Sequence, residues 1–272
     1  MTTESPSEYQ HLETLPTAQL LAAMNQLDHT VPQAVALALP QIEALVEATV
    51  ARLRAGGRLF YIGAGTSGRL GVVDASECPP TFGVPAGLVV GLIAGGDTAI
   101  RQAVEGSEDN ATQAWLDLQL HRPTAQDVLV GIAASGRTPY VVGGLQAARA
   151  AGLTTGCIVC NAGSAVAAAA EFPVEVVTGP EFVTGSTRLK AGTAQKLVLN
   201  MITTTTFIRL GHVLGNKMVD MQLSNDKLVL RGQQMLMDEL GVSAEKAAAL
   251  LQQHGSVRAA LAAFSLLKSS TQ

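Results

Sequence analysis

Arg58–Gly83, RLFYIGAGTSGRLGVVDASECPPTFG, decides the fold. Leu59, Phe60, Tyr61 and Ile62 make a short apolar run of β-favouring residues, the pattern of a buried strand. The run stops at Gly63-Ala64-Gly65-Thr66-Ser67-Gly68, where glycines let a backbone approach a ligand closely and two hydroxyls stand between them. A helix starting near Ser67 would point free amides and the positive end of its dipole at this loop, which suits a phosphate. Ten residues later comes Glu77, between Ser76 and Cys78-Pro79-Pro80. A carboxylate near an anion-binding loop is electrostatically awkward unless it does chemistry there or carries a proton.

Working outward, the same plan recurs. DVLVGIAASGRTPY repeats the order of apolar strand, small-residue loop with hydroxyls, Gly-Arg and helix. Its loop is Ala133-Ala134-Ser135-Gly136-Arg137-Thr138, and Pro139 suits the first helical turn. Strands are expected at Leu59–Ile62, Gly87–Ile93, Val128–Ile132, Thr155–Val159 and Val174–Val177, with helices over Thr98–Glu105, Ala111–Leu120 and Pro139–Ala151 between them. This alternation predicts an α/β fold, a parallel sheet flanked by helices on both faces. Ligands of such sheets bind beyond the carboxyl ends of the strands, where both glycine-bearing loops fall.

Before the first strand, an irregular arm to about residue 15 leads into helical sequence with starts or breaks at Pro32 and Pro40, closed by Gly56-Gly57. After the sheet, Lys190–Leu214 carries a helical stripe in which Thr203 to Thr206 are poor helix formers, so burial must support them. Gly215–Asn225 is a connector. A helix and a short amphipathic pair follow, bounded by Ser243 with Glu245 and by Gly255 with Ser256, with a frayed end from Ser269. The expected organisation is residues 1–50 as arm and helices, 51–214 as the ligand-binding domain, and 215–272 as a small helical subdomain.

The composition narrows the class. A formal charge of -4 over 272 residues, with no basic run, argues against nucleic acid. The polar start MTTESPSEYQ and the lack of a long apolar run predict a soluble cytoplasmic chain with no membrane contact. Three cysteines fit a reducing compartment. Cys157 and Cys160 have CxxC spacing but lie in a strand-like run, so they read as buried core residues rather than a redox pair. His11, His29, His121, His212 and His254 are scattered without ligand spacing, so no metal is expected.

The first loop shares its spacing with a dinucleotide fingerprint. That motif also wants an acidic residue ending the second strand, and GLVVGLIAGG ends in glycines with Asp97 beyond them. A Gly-Lys-Ser/Thr nucleotide loop is absent. In Glu105-Gly-Ser-Glu108-Asp109-Asn110, Glu105 and Glu108 would share one face of a helix. Alone this is a solvated acidic cap; with Glu77 it supplies two carboxyls for paired acid and base work. Ser186-Thr187-Arg188-Leu189-Lys190 offers two cations and two hydroxyls before a helix, for an anion, for a partner subunit or simply as a cap.

Together GAGTSGRLGVVDASECPPTFG, GLIAGG, AVEGSEDN, GIAASGRTPYV and TGSTRLKAGTAQKLVLNM resemble the N-acetylmuramic acid 6-phosphate etherase family, from about Thr3 to the C-terminus. That family belongs to the sugar isomerase (SIS) domain group. The resemblance implies an αβα sandwich and cleavage of the lactyl ether of N-acetylmuramate 6-phosphate to N-acetylglucosamine 6-phosphate and D-lactate. It also implies no cofactor, and a homodimer with the site near the subunit interface. Glu77 matches the family's proton donor and Glu108 its second catalytic glutamate, which deprotonates C2. Gly65, Thr66, Ser67, Gly68, Glu105, Ser135, Gly136, Arg137 and Thr138 are the expected substrate contacts. Glu77 is expected to hold its proton through partial burial beside Pro79, Pro80 and Phe82. Two rivals use the same loops: a non-catalytic sugar-phosphate sensor, and an aldose–ketose isomerase with a carboxylate base at C2 and no lactate release.

Overall fold

The structure, a computed structural model, describes residues 2–269, so the expected fraying past Ser269 lies outside the described residues. Among them five strands make one sheet: β1 Leu59–Gly63, β2 Val89–Ile93, β3 Val128–Ala133, β4 Thr154–Val159 and β5 Phe172–Glu175. Their order is β2-β1-β3-β4-β5, and every pairing is parallel. The α/β reading therefore holds. The largest displacement is at β5, which begins two residues earlier than Val174 and includes Pro173. Proline cannot donate to a ladder and is tolerated here because β5 is an edge strand.

The arm holds only a short 3-10 turn, Leu12–Thr14, before α1 Thr17–Asp28, α2 Thr30–Leu37 and α3 Leu39–Arg54. Pro32 and Pro40 fall in the first turns of α2 and α3, where a missing N–H costs nothing. Then come α4 Gly65–Phe82, α5 Gly96–Arg101, α6 Gln113–Gln119, α7 Pro139–Ala150, α8 Ala165–Ala169 and α9 Lys190–Arg209, followed by α10 Asp226–Leu240, α11 Ala244–His254 and α12 Val257–Ser269. Helix α4 starts two residues before Ser67, and α5 stops at Arg101, four residues short of Glu105.

The chain divides into two compact units. The first runs to Ser76 and again over Gly87–Thr206, and contains the sheet. On one face Phe60, Ile62, Leu129, Cys157 and Val159 pack with Tyr140, Val141 and Leu145 of α7. Leu45 of α3 closes over Gly156 of β4, where an added Cβ would meet its side chain at 2.4 Å. Of the four threonines, Thr203 and Thr206 are buried and Thr204 and Thr205 exposed, so burial supports half of that run.

The second unit comprises Glu77–Ala86 and the chain from Phe207. Its core gathers Leu236, Ala247, Leu250, Leu251, Val257 and Ala260. Asn225 caps α10 by accepting from the Leu228 amide, and Ser243 caps α11 by accepting from Lys246. Gly255 ends α11 at φ 74°, so Ser243 and Gly255 are the boundaries expected of them.

Candidate active site

Strands β1 and β3 are neighbours in register, Gly63 opposite Ile132, so their following loops leave the same carboxyl edge side by side. With strand order 2-1-3-4-5 this is the switch point, where the chain turns to opposite sides and opens a crevice for a ligand. In the first loop Gly63 and Gly68 touch: a Cβ on Gly68 would lie 2.7 Å from the Gly63 carbonyl and 2.6 Å from Ile93. That contact brings the first turn of α4 tight against the strand end. The Gly68 amide bonds the Ala64 carbonyl at 3.1 Å, and the Gly63 carbonyl is taken by the Ala94 amide at 2.9 Å; the first amides of a helix lack intrahelical partners. Thr66 is half-buried. Ser67 is buried, and its hydroxyl donates to Gln195 Oε1 of α9 at 3.0 Å, so its proton is committed within the protein.

In the second loop Ser135 and Thr138 are half-buried, Arg137 is exposed, and Gly136 is buried at φ 71°. A Cβ on Gly136 would meet Ser164 Oγ at 2.3 Å, so only glycine serves there on both counts. Ser135 Oγ accepts from the Arg137 amide at 3.3 Å, which folds the loop on itself.

Glu105 and Glu108 do not share a helical face. Gly106, at φ 71°, breaks the chain between them, and Glu108 sits in a 3-10 turn, Ser107–Asp109. Both residues nevertheless line one cavity of about 180 Å³, together with Ala64, Gly65, Arg69, Ala94 and Val104. The acidic stretch thus faces the first loop. Arg69, which sequence reasoning passed over, anchors the approach: its Nε donates to the Ile100 carbonyl at 2.9 Å. Its signal was the Gly-Arg pair repeated after both loops.

Glu77 is exposed, so the expected partial burial is absent from the single chain. The physical reason is helical phase: Asp74, Ala75 and Cys78 take the buried side of α4. Glu77 stands ten residues past Ser67 in the same helix, roughly 15 Å along its axis at 1.5 Å per residue. Pro79 and Pro80 lie in the last turns of α4 and cannot donate to the carbonyls of Ala75 and Ser76. The buried carboxyl is Asp74, 5% exposed, which accepts from Thr203 Oγ1 at 3.2 Å. Burial is the largest influence on it, and it pushes the pKa from 3.8 up to about 6 against hydrogen bonds from Tyr61 and Thr203 and the charge of Lys196.

The group before α9 turns inward. Glu181, buried, accepts from the amides of Lys190 and Ala191, both at 2.9 Å, and so caps the helix with its own carboxylate. Lys190 is buried and donates to the Thr178 carbonyl at 2.9 Å. The cap of α9 thus comes from Glu181, outside the Ser186–Lys190 segment, and Lys190 is not on a charged surface. Cys157 and Cys160 are free and buried, and burial pushes both thiols up to about 12.

An all-parallel sheet in this order, with two hydroxyl-bearing loops at its switch point, defines an αβα domain of the SIS type. The family model for the glucokinase regulatory protein N-terminal SIS domain matches residues 41–149. Solved structures share the fold. Phosphoheptose isomerase GmhA from Neisseria gonorrhoeae aligns with a TM-score of 0.52 at 18% identity, over 70% of this chain and 98% of its own. The Vibrio vulnificus NanR protein complexed with ManNAc-6P aligns at 0.51 and 13% identity, over 71% and 65%. Sequence goes further. The N-acetylmuramic acid 6-phosphate etherase of Christiangramia forsetii is 62% identical over 95% of this chain and 94% of its own length. The enzymes of the same name from Bacteroides thetaiotaomicron (54%, over 99% and 98%) and Cronobacter sakazakii (56%, over 89% and 82%) are similarly close. The chain belongs to the N-acetylmuramic acid 6-phosphate etherase family.

Proposed function

We infer that the protein is a carbon–oxygen lyase that cleaves the D-lactyl ether of N-acetylmuramic acid 6-phosphate, giving N-acetylglucosamine 6-phosphate and D-lactate. The observation that carries this is identity above half, over nearly the whole chain, to enzymes of that name. The two loops at the switch point support a phosphorylated sugar as ligand. In the open-chain sugar the C2 proton is acidified by the neighbouring aldehyde. Glu108 removes it, and the C3–oxygen bond breaks as Glu77 hands a proton to the departing lactyl oxygen. The product of that step is an unsaturated aldehyde; water adds at C3 to restore a hydroxyl. Only protons and water move, so the chemistry calls for no cofactor.

The first turn of α4 and Thr66, with Ser135, Gly136, Arg137 and Thr138, hold phosphate and sugar hydroxyls; Gly65 and Gly68 shape the loop. Ser67 accepts rather than donates, and Glu105 shares the cavity of Glu108. The working form is a homodimer in the cytoplasm. Two facts favour a second subunit: Glu77 is exposed, and it lies well along the helix from the loop that α4 begins. Residues 51–214 form the sugar-phosphate domain, with the arm and helices of 1–50 before it and 215–272 as a helical subdomain. Isotope exchange tests the assignment of roles. In deuterated water, Glu77→Gln is expected to exchange the C2 proton without releasing lactate, and Glu108→Gln to lose the exchange itself. The reverse pattern would swap the two residues.

A further inference from the structure

The N-terminal arm has no part in the chemistry above, yet Thr2 and Thr3 are hydrogen-bonded to a residue at the sheet edge. Thr3 is fully buried, and Asn161, just past the end of β4, is 3% exposed. Asn161 Oδ1 accepts from the amides of Thr2 and Thr3, at 2.7 and 3.2 Å, and from the Thr2 hydroxyl at 3.2 Å. Its Nδ2 donates to Thr3 Oγ1 at 2.7 Å, to the Ala134 carbonyl at 3.1 Å and to the Ser135 carbonyl at 3.3 Å. One amide side chain therefore joins the arm to the second substrate loop, across 158 positions of sequence.

The consequence for the loop follows from peptide geometry. The Ala134 carbonyl is fixed twice, by Asn161 and by the Cys160 amide at 3.0 Å. In a trans peptide the next N–H points opposite to that carbonyl, so the Ser135 N–H is aimed away from Asn161. Among the described residues no acceptor takes it up. It sits in the loop that carries Ser135 Oγ and Gly136, at the sheet edge next to the α4 loop.

We propose that Asn161, seated by Thr2 and Thr3, is a positioning residue that sets the Ala134–Ser135 peptide so that the Ser135 N–H and hydroxyl meet the sugar phosphate. The arm is thereby part of the substrate loop. This rests on the etherase reading for the identity of the ligand, and its test is built to fail separately from it.

The experiment measures calorimetric binding of N-acetylglucosamine 6-phosphate, with KM, kcat and melting temperature, for the full chain and three variants. Thr3→Val keeps shape and loses the hydroxyl that Asn161 donates to. Asn161→Asp keeps an acceptor for the arm amides and loses the donors to Ala134 and Ser135. Thr3→Ser keeps the hydroxyl. Loss of one buried hydrogen bond at the loop predicts Kd and KM raised about tenfold in Thr3→Val and at least as much in Asn161→Asp, with kcat within about twofold. Thr3→Ser is expected to bind like the unaltered protein. Unchanged Kd in both disruptive variants, with only the melting temperature lowered, would overturn the proposal. So would a Thr3→Ser defect as large as that of Thr3→Val. If the unaltered protein binds the sugar phosphate but releases no lactate from N-acetylmuramic acid 6-phosphate, the etherase reading falls, while the binding comparison still decides the role of Asn161.

Discussion

Replacing Asp74 by Asn isolates the cost of a charge buried on α4. Asp74 is 5% exposed on α4, with Thr203 donating to Oδ1 at 3.2 Å. Burial pushes its pKa from 3.8 to about 6 in the fold. An unfolded chain releases this proton near pH 4, whereas the folded chain keeps it to about pH 6. Between those values the unfolded state binds fewer protons, so stability falls as pH rises and then levels off. About two pH units at 1.36 kcal/mol each amount to about 3 kcal/mol. Asn has no proton to lose, keeps a carbonyl oxygen for the Thr203 hydroxyl, and nearly matches the volume. The stability of Asp74→Asn minus that of the unaltered protein should therefore rise by about 3 kcal/mol from pH 4 to pH 7, in favour of Asn. Urea unfolding at several pH values, read by circular dichroism with the slope m held common, gives this difference directly. A difference that stays constant with pH would mean instead that the Asp74 charge is solvated or paired in the fold.

Other expectations are narrower. Gly136→Ala combines a left-handed φ of 71° with a Cβ 2.3 Å from Ser164 Oγ. It should destabilise by at least about 2 kcal/mol in thermal unfolding and raise KM for the sugar phosphate. Glu181→Gln removes a buried carboxylate from two helix amides. It should cost about 1–2 kcal/mol by urea unfolding while leaving kcat near its starting value. With burial pushing Cys157 and Cys160 up to about 12, neither should react with a thiol reagent at pH 8 until urea opens the fold. Labelling of either in the native protein, followed by mass spectrometry, would contradict their placement.

Much of the sheet was legible because its strands are short apolar runs punctuated by glycine, and the repeated loop-plus-Gly-Arg plan marked the two loops that leave one edge of the sheet side by side. The structure departs from the local sequence pattern where tertiary context overrides it. Pro173 hid the start of β5, since proline demotes a strand unless it lies at an edge, and sequence does not say which strands are edges. Gly106 undid the shared face expected of Glu105 and Glu108, yet a 3-10 turn returned both to one cavity. Glu77 sits among apolar neighbours in sequence but on the outward phase of α4, a matter of helical rotation that Pro79, Pro80 and Phe82 did not reveal. The Asn161–Thr3 link had no local signal at all, because its partners are far apart along the chain. Glu181 could have been suspected only by knowing that α9 starts at Lys190 and needs a cap.

In the proposed reaction the C3–oxygen bond breaks by elimination and is remade from water. Turnover of N-acetylmuramic acid 6-phosphate in ¹⁸O-labelled water, with mass spectrometry of both products, tests it most directly. Elimination and rehydration give D-lactate without label, since it keeps the ether oxygen, and N-acetylglucosamine 6-phosphate with one ¹⁸O at C3. Label in lactate, or a rearranged sugar phosphate with no lactate, would contradict it.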